Sequence, residues 1–186
     1  MNSGTGRWAL GARLAATTAI TAVTAVTAIT AVGIAPRAAQ AQDLGVQIGT
    51  MAPGAKVQTL DGKAADLAQY MGKTPVVMEF WATWCPNCKE LEPELLAAAK
   101  KYGTQVKFVG VAVSVNQTPA RVKAFVEKHG LPGDQYFDNK GNATGAYDVP
   151  ATSYVVIINK AGKVVYTGLG GKQDLDEAIR KALVSS

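Results

Sequence analysis

Histidine occurs once in the 186 residues, as His129, and cysteine only twice, as Cys85 and Cys88. So few soft donors leave a four-ligand zinc site within one chain short of partners. The same scarcity leaves no peroxidatic cysteine apart from the Cys85–Cys88 pair. Acidic residues are missing from the first 41 positions, which carry Arg7, Arg13 and Arg37. The formal charge of +5 therefore misleads, because setting those three arginines aside leaves 16 basic residues against 14 acidic. A body so nearly balanced offers no electrostatic reason to expect a nucleic-acid partner. No repeat, linker or low-complexity stretch follows residue 42. What remains is a chain long enough for one well-buried domain, with 48% hydrophobic residues to build its core.

The N-terminal segment has the three parts of a secretory signal. Arg7 and Arg13 precede an uncharged run from Leu14 to Pro36, rich in Ala, Thr, Val and Ile, and Ala39-Gln40-Ala41 forms a small-x-small cleavage site. The expected division is residues 1–41 as a signal peptide and 42–186 as the folded domain. The alternative is an uncleaved membrane anchor, since ~20 apolar residues suffice to span a bilayer. Either way the folded part lies outside the cytoplasm, in a periplasmic or otherwise extracytoplasmic space where disulfides persist. Membrane contact is expected only if the segment is retained.

Along the mature chain, residues 42–55 read as an entry arm and Lys56 to Leu60 as a short strand closed by the Asp61-Gly62-Lys63 turn. Asp66 to Met71 predicts one or two helical turns, and Pro75 to Trp81 a buried strand. A helix follows Cys85-Pro86-Asn87-Cys88, with Pro86 in its first turn and Pro93 bending it before it ends near Tyr102. Val106 to Val113 is a second buried strand. Thr118-Pro119 caps a helix stopped by Gly130. Gln135 to Phe137 reads as a short strand and Asn142 to Tyr147 as a short helix. Tyr154 to Ile158 and Lys163 to Thr167 pair through a hairpin turn at Asn159, and Asp174 with Glu177 caps the last helix. The order predicts an α/β domain, with a mixed sheet flanked by helices on both faces.

A C-x-x-C pair at the start of a helix closes into a small disulfide ring without reorganising the backbone. The helix N-terminus favours a thiolate on the first cysteine. The expected roles are attack on a substrate disulfide by Cys85 and resolution of the mixed disulfide by Cys88. The pair also reads as half of a zinc site or as a structural bridge. His129, set at a partly covered helix position, makes a poor further ligand, and so short a loop gives a bridge little stabilising effect. This chemistry calls for no cofactor and no metal.

Phe80-Trp81-Ala82-Thr83-Trp84-Cys85-Pro86-Asn87-Cys88-Lys89, with Pro93, closely resembles the active-site segment of thioredoxin-like proteins. Gly49, Pro53 and Leu60-Asp61-Gly62-Lys63, with Phe125 through Pro132, resemble the TlpA/ResA/DsbE branch, and the similarity covers residues 46–184. The resemblance implies a thioredoxin-like fold and an exported disulfide reductase, in several relatives serving cytochrome c maturation. Its implied partners are disulfide-bearing exported proteins and a membrane thiol protein that donates electrons.

It also implies a buried acid beneath the cysteines at Glu79, placed to take the proton of Cys88 during resolution. An outward-pointing Glu79 is the alternative. Trp81 and Trp84 belong under and beside the motif, in core or substrate-facing roles. The family's cis-proline facing the cysteines has two candidates here. Pro150 is the nearby proline, but counting back from Asn159 puts Ser153 in that place. Competing functions are a DsbA-like oxidant, which the histidine-free Pro86-Asn87 dipeptide disfavours, and a Sco-type copper- or thiol-binding module.

Overall fold

The computed structural model describes residues 45–185; the signal or anchor expected over residues 1–41 lies outside the described residues. Seven strands form one sheet in the order β2-β1-β5-β4-β3-β6-β7. Its centre is β3 (Val76–Trp81), β4 (Lys107–Val113) and β5 (Asp134–Asp138), which run parallel. Antiparallel strands finish both edges. On one side these are β6 (Tyr154–Ile158) and β7 (Val164–Leu169), on the other β1 (Lys56–Thr59) and β2 (Ala64–Asp66).

The parallel pairs need crossovers, which α1 (Pro86–Tyr102) and α2 (Pro119–His129) supply. Helices α3 (Asn142–Ala146) and α4 (Leu175–Val184) complete the layers. The mixed sheet is the expected one. The expectation missed β2, a three-residue strand with no apolar alternation that exists because the Asp61–Lys63 turn folds it onto β1. Asp66 ends β2 and also caps the single 3₁₀ turn Leu67–Tyr70, accepting from Ala68 N.

Alternation along β3 divides the core in two. Val76, Met78 and Phe80 face a cluster with Leu67, Tyr147 and Tyr154, covered by the 3₁₀ turn and α3. Val77 faces the opposite way, beneath Leu91 and Leu95 of α1 and Ile179 of α4. Trp81, on that same side, packs against Val122 and Phe125 of α2. All six residues of β3 are therefore buried, Glu79 among them.

Helix boundaries follow their capping chemistry. Thr118 Oγ1 accepts from Arg121 N, Gly130 takes the left-handed conformation after α2, and Asp174 Oδ1 accepts from Glu177 N. Helix α3 has no capping side chain of its own, because its N-cap is Gly141. The buried Asp138 carboxylate at the end of β5 substitutes, accepting from Ala143 N, Thr144 N and Thr144 Oγ1 at 3.2, 2.8 and 3.0 Å. Removing that acceptor strands buried donors, so Asp138→Ala is expected to cost about 1–3 kcal/mol, and Asp138→Asn less. Urea unfolding midpoints of the two variants against wild type measure it.

Candidate redox site

The site begins where β3 ends. The chain leaves the sheet at Trp81, turns through Ala82–Trp84, and enters α1 with Cys85 as N-cap and Pro86 in the first turn. Cys85 N donates to Ala82 O at 3.1 Å, which fixes that turn. Gln117, from the loop before α2, clamps it from outside: Gln117 Oε1 accepts from Thr83 N at 2.9 Å while its amide nitrogen donates to Val113 O. Trp84, half-exposed, ties to the same loop, with Nε1 donating to Val115 O at 2.7 Å. Trp81 lies wholly inside, against Phe125, and so belongs to the core.

Cys85 and Cys88 are joined in a disulfide, with Cα atoms 5.3 Å apart. Both are buried. Cys85 Sγ accepts from Cys88 N at 3.1 Å, so the first sulfur receives a backbone donor at the helix N-terminus. That environment favours negative charge on Cys85 once the bridge opens.

Glu79 is buried on the α1 side of β3, and its Oε1 has no hydrogen-bond partner. The outward-pointing alternative does not hold, because both faces of the central sheet are covered. Desolvation, with the negative charge of Glu92 nearby, pushes the Glu79 carboxyl up to about 8. Glu79 and Cys88 line one small cavity together with Trp81, Glu92 and Phe125.

The two candidates before β6 part company. Ser153 is fully buried with a positive φ of 64°, and its N–H donates to Phe80 O at 2.8 Å, extending β6 along the motif end of β3. Its Oγ donates to Gly170 O. Pro150 is exposed, three residues earlier, and takes no part in that pairing. Among the described residues no group of three or more His, Cys, Asp or Glu could hold a metal ion, and no helix is long and apolar enough to cross a membrane.

Four residues that matter here carry no motif. Gln117 holds the turn, Asp138 anchors α3, and Glu92 and Gln135 line the cavities at Glu79. Only Glu92 had a signal in the sequence, its i, i+4 spacing from Cys88. Beside Trp84 runs an open, mainly apolar groove of about 520 Å³, bordered by Val113, Val115, Val149, Ala151 and Thr152.

The Redoxin family model matches residues 47–183. Thiol-disulfide oxidoreductase ResA of Bacillus thuringiensis is 33% identical over 141 residues, 73% of this chain and 79% of that protein. A crystal structure of a secreted Mycobacterium tuberculosis disulfide oxidoreductase homologous to E. coli DsbE superposes with a TM-score of 0.58 at 29% identity, over 69% of this chain and 95% of that one. The thioredoxin domain of a Bacteroides vulgatus thiol-disulfide oxidoreductase reaches a TM-score of 0.64 over 74% of this chain and 99% of its own. At 19% identity it speaks for the thioredoxin-like fold alone.

The raised Glu79 carboxyl has a consequence for stability. Its proton is held in the folded chain to about pH 8 but is lost in the unfolded chain near the ordinary value of 4.5. Across that window the unfolded state binds fewer protons, so rising pH weakens the fold, by at most about 1.4 kcal/mol per pH unit. Glu79→Gln removes this contribution. Denaturant unfolding of the oxidised proteins at pH 5, 6.5 and 8 should show the variant gaining on wild type as pH rises; a constant difference would contradict the assignment.

Proposed function

The chain belongs to the Redoxin family and is a thiol–disulfide oxidoreductase of the ResA and DsbE kind, and from that premise we propose an exported reductase of protein disulfides. The observation that carries this reading is the Cys85–Cys88 disulfide at the start of α1, lying over a buried carboxyl without a partner. In the reduced enzyme the Cys85 thiolate attacks one sulfur of a substrate disulfide, and the first substrate thiolate leaves. The ionised fraction of Glu79, a minority below pH 8, takes the Cys88 proton. The Cys88 thiolate then attacks Cys85 Sγ, closing the Cys85–Cys88 bond and releasing the second substrate thiolate. Two electrons pass from enzyme to substrate.

A base beside the second sulfur is of most use in this direction, because Cys88 must lose its proton before it can resolve. The histidine-free Pro86-Asn87 pair also favours a reductant over a DsbA-like oxidant. The groove beside Trp84, the residue before Cys85, has apolar walls that suit an extended segment of unfolded substrate polypeptide. Pro86 starts the helix that bears both sulfurs, and Ser153, its N–H and carbonyl both engaged, stands in the place of the family's proline and fixes the groove-lining Ala151–Thr152 segment before it.

The signal-like composition of residues 1–41 supports work in the periplasm or another extracytoplasmic space, where a membrane thiol protein would return electrons to the spent disulfide. Haem-binding cysteines of cytochrome c precursors are a substrate class consistent with the ResA and DsbE likeness.

Cys88→Ser removes the resolving thiol and leaves the attacking one. The full chain carrying this substitution is expected to accumulate mixed disulfides with extracytoplasmic proteins through Cys85, seen as thiol-sensitive high-mass bands, while turnover in insulin reduction falls at least about a hundredfold. Bands that persist in a Cys85→Ser/Cys88→Ser double variant, or that form only with cytoplasmic proteins, would overturn the reading.

A further inference from the structure

A buried carboxyl that takes a proton from Cys88 in every turnover must pass it on to water. Two cavities of about 10 Å³, each room for about one water, meet at Glu79, Trp81, Leu95 and Leu131. One continues under β4 and β5 toward Gly110 and Gln135, which present only uncharged groups. The other touches sulfur: Cys88, Lys89, Glu92 and Phe125 complete its lining. The polar atoms of Glu79, Cys88 and Glu92 give a water there the partners it needs.

Glu92 stands one helical turn after Cys88 on the same face of α1. It does not reach for solvent, as Glu90 does toward the exposed Lys172. Instead both its carboxylate oxygens lie 3.0 Å from His129 Nδ1, with the two side chains only 18% and 27% exposed. The imidazole is held flat on Phe125, centroids 3.9 Å apart and planes within 7°, and Phe125 rests on Trp81. Imidazole is the side chain that exchanges protons with water near neutral pH without special tuning. Glu92 thus joins two things: it lines the cavity of the unpartnered Glu79, and it holds His129, which lies outside that cavity on the far side of Phe125's ring.

We propose that Glu92 and His129 form the outer station of a proton route serving Cys88, joined to Glu79 by one water in the shared cavity. The inference rests on the reading that Cys88 resolves and Glu79 accepts its proton. The Cys88 S–H bond breaks as a Glu79 O–H bond forms. Glu79 then gives that proton to the water, which passes one of its own to the Glu92–His129 pair, and the imidazolium so formed releases a proton to solvent. One proton leaves and no electron travels this way. The charged groups around the route are Glu79 from β3, Lys89 and Glu92 from α1, and His129 from α2. Glu92 and His129 act through Glu79 and are positioning residues.

The reduced full chain mixed with Ellman's reagent in a stopped flow separates the two steps. Attack by Cys85 releases chromophore at a rate set by reagent concentration, and resolution by Cys88 releases a second equivalent independently of it. His129→Ala should slow the second phase about tenfold at pH 7 and leave the first within about twofold, and added imidazole should restore it. Glu92→Gln should slow the second phase alike without rescue. An unchanged second phase in both variants, slowing of both phases together, or no imidazole rescue of His129→Ala would overturn the route. Loss of the second phase in wild type, or its persistence in Cys88→Ala, would instead sink the division of labour between the cysteines and the route with it.

Discussion

An ionisable carboxyl in the middle of a sheet covered on both faces is costly to hold, and the site is organised around that cost. Glu79 occupies β3 between Met78 and Phe80, which point to the α3 side, so its carboxyl is directed under α1. Gly110 sits beside it on β4, and Gln135 beside that on β5, in one row across three strands. A side chain at Gly110 would collide with the Gln135 amide, so the missing Cβ is what admits a polar group and a cavity into this row. The disulfide lies over the same spot because β3 delivers the chain directly to the start of α1. The acid buried at this cost shares its cavity with Cys88, which is what the proposed proton transfer requires.

Most of this plan was written in local signals. The Cys85-Pro86-Asn87-Cys88 motif lay between an apolar run and a helical repeat, which is enough to place a redox pair on a strand–helix junction. Thr118, Gly130 and Asp174 marked helix ends through chemistry that acts within a few residues, and all three ends lie where expected. β2 was not legible, because Ala64–Asp66 pairs with β1 by virtue of a turn and not of its own pattern. The burial of Glu79 was open for a related reason: in a strand buried on both faces, alternation no longer distinguishes inside from outside. Gln117 acts on Thr83, 34 residues away, Gln135 on Pro132 in a loop, and Asp138 caps α3 from the end of a strand; no periodicity points to any of them.

The place of the family's proline is taken here by a serine. Register back from Asn159 selects Ser153, and the backbone pairing with Phe80 agrees, whereas Pro150 stands apart on the surface. Ser153 meets the demands of the position with hydrogen bonds. Its N–H reaches β3, its Oγ reaches Gly170 O, and its carbonyl accepts from Gly170 N and Gln173 Nε2. The chain entering β6 is thus held by polar contacts to the β7–α4 loop.

The direction of electron flow decides between reductant and oxidant, and the reduction potential of the Cys85–Cys88 couple measures it most directly. Full-chain protein equilibrated with defined thiol buffers at pH 7 should give a value near or below about −270 mV, the range of a thioredoxin-type reductant. A value near about −120 mV, that of a strong oxidant, would contradict it, and the absence of a reversible dithiol couple would contradict the oxidoreductase chemistry altogether.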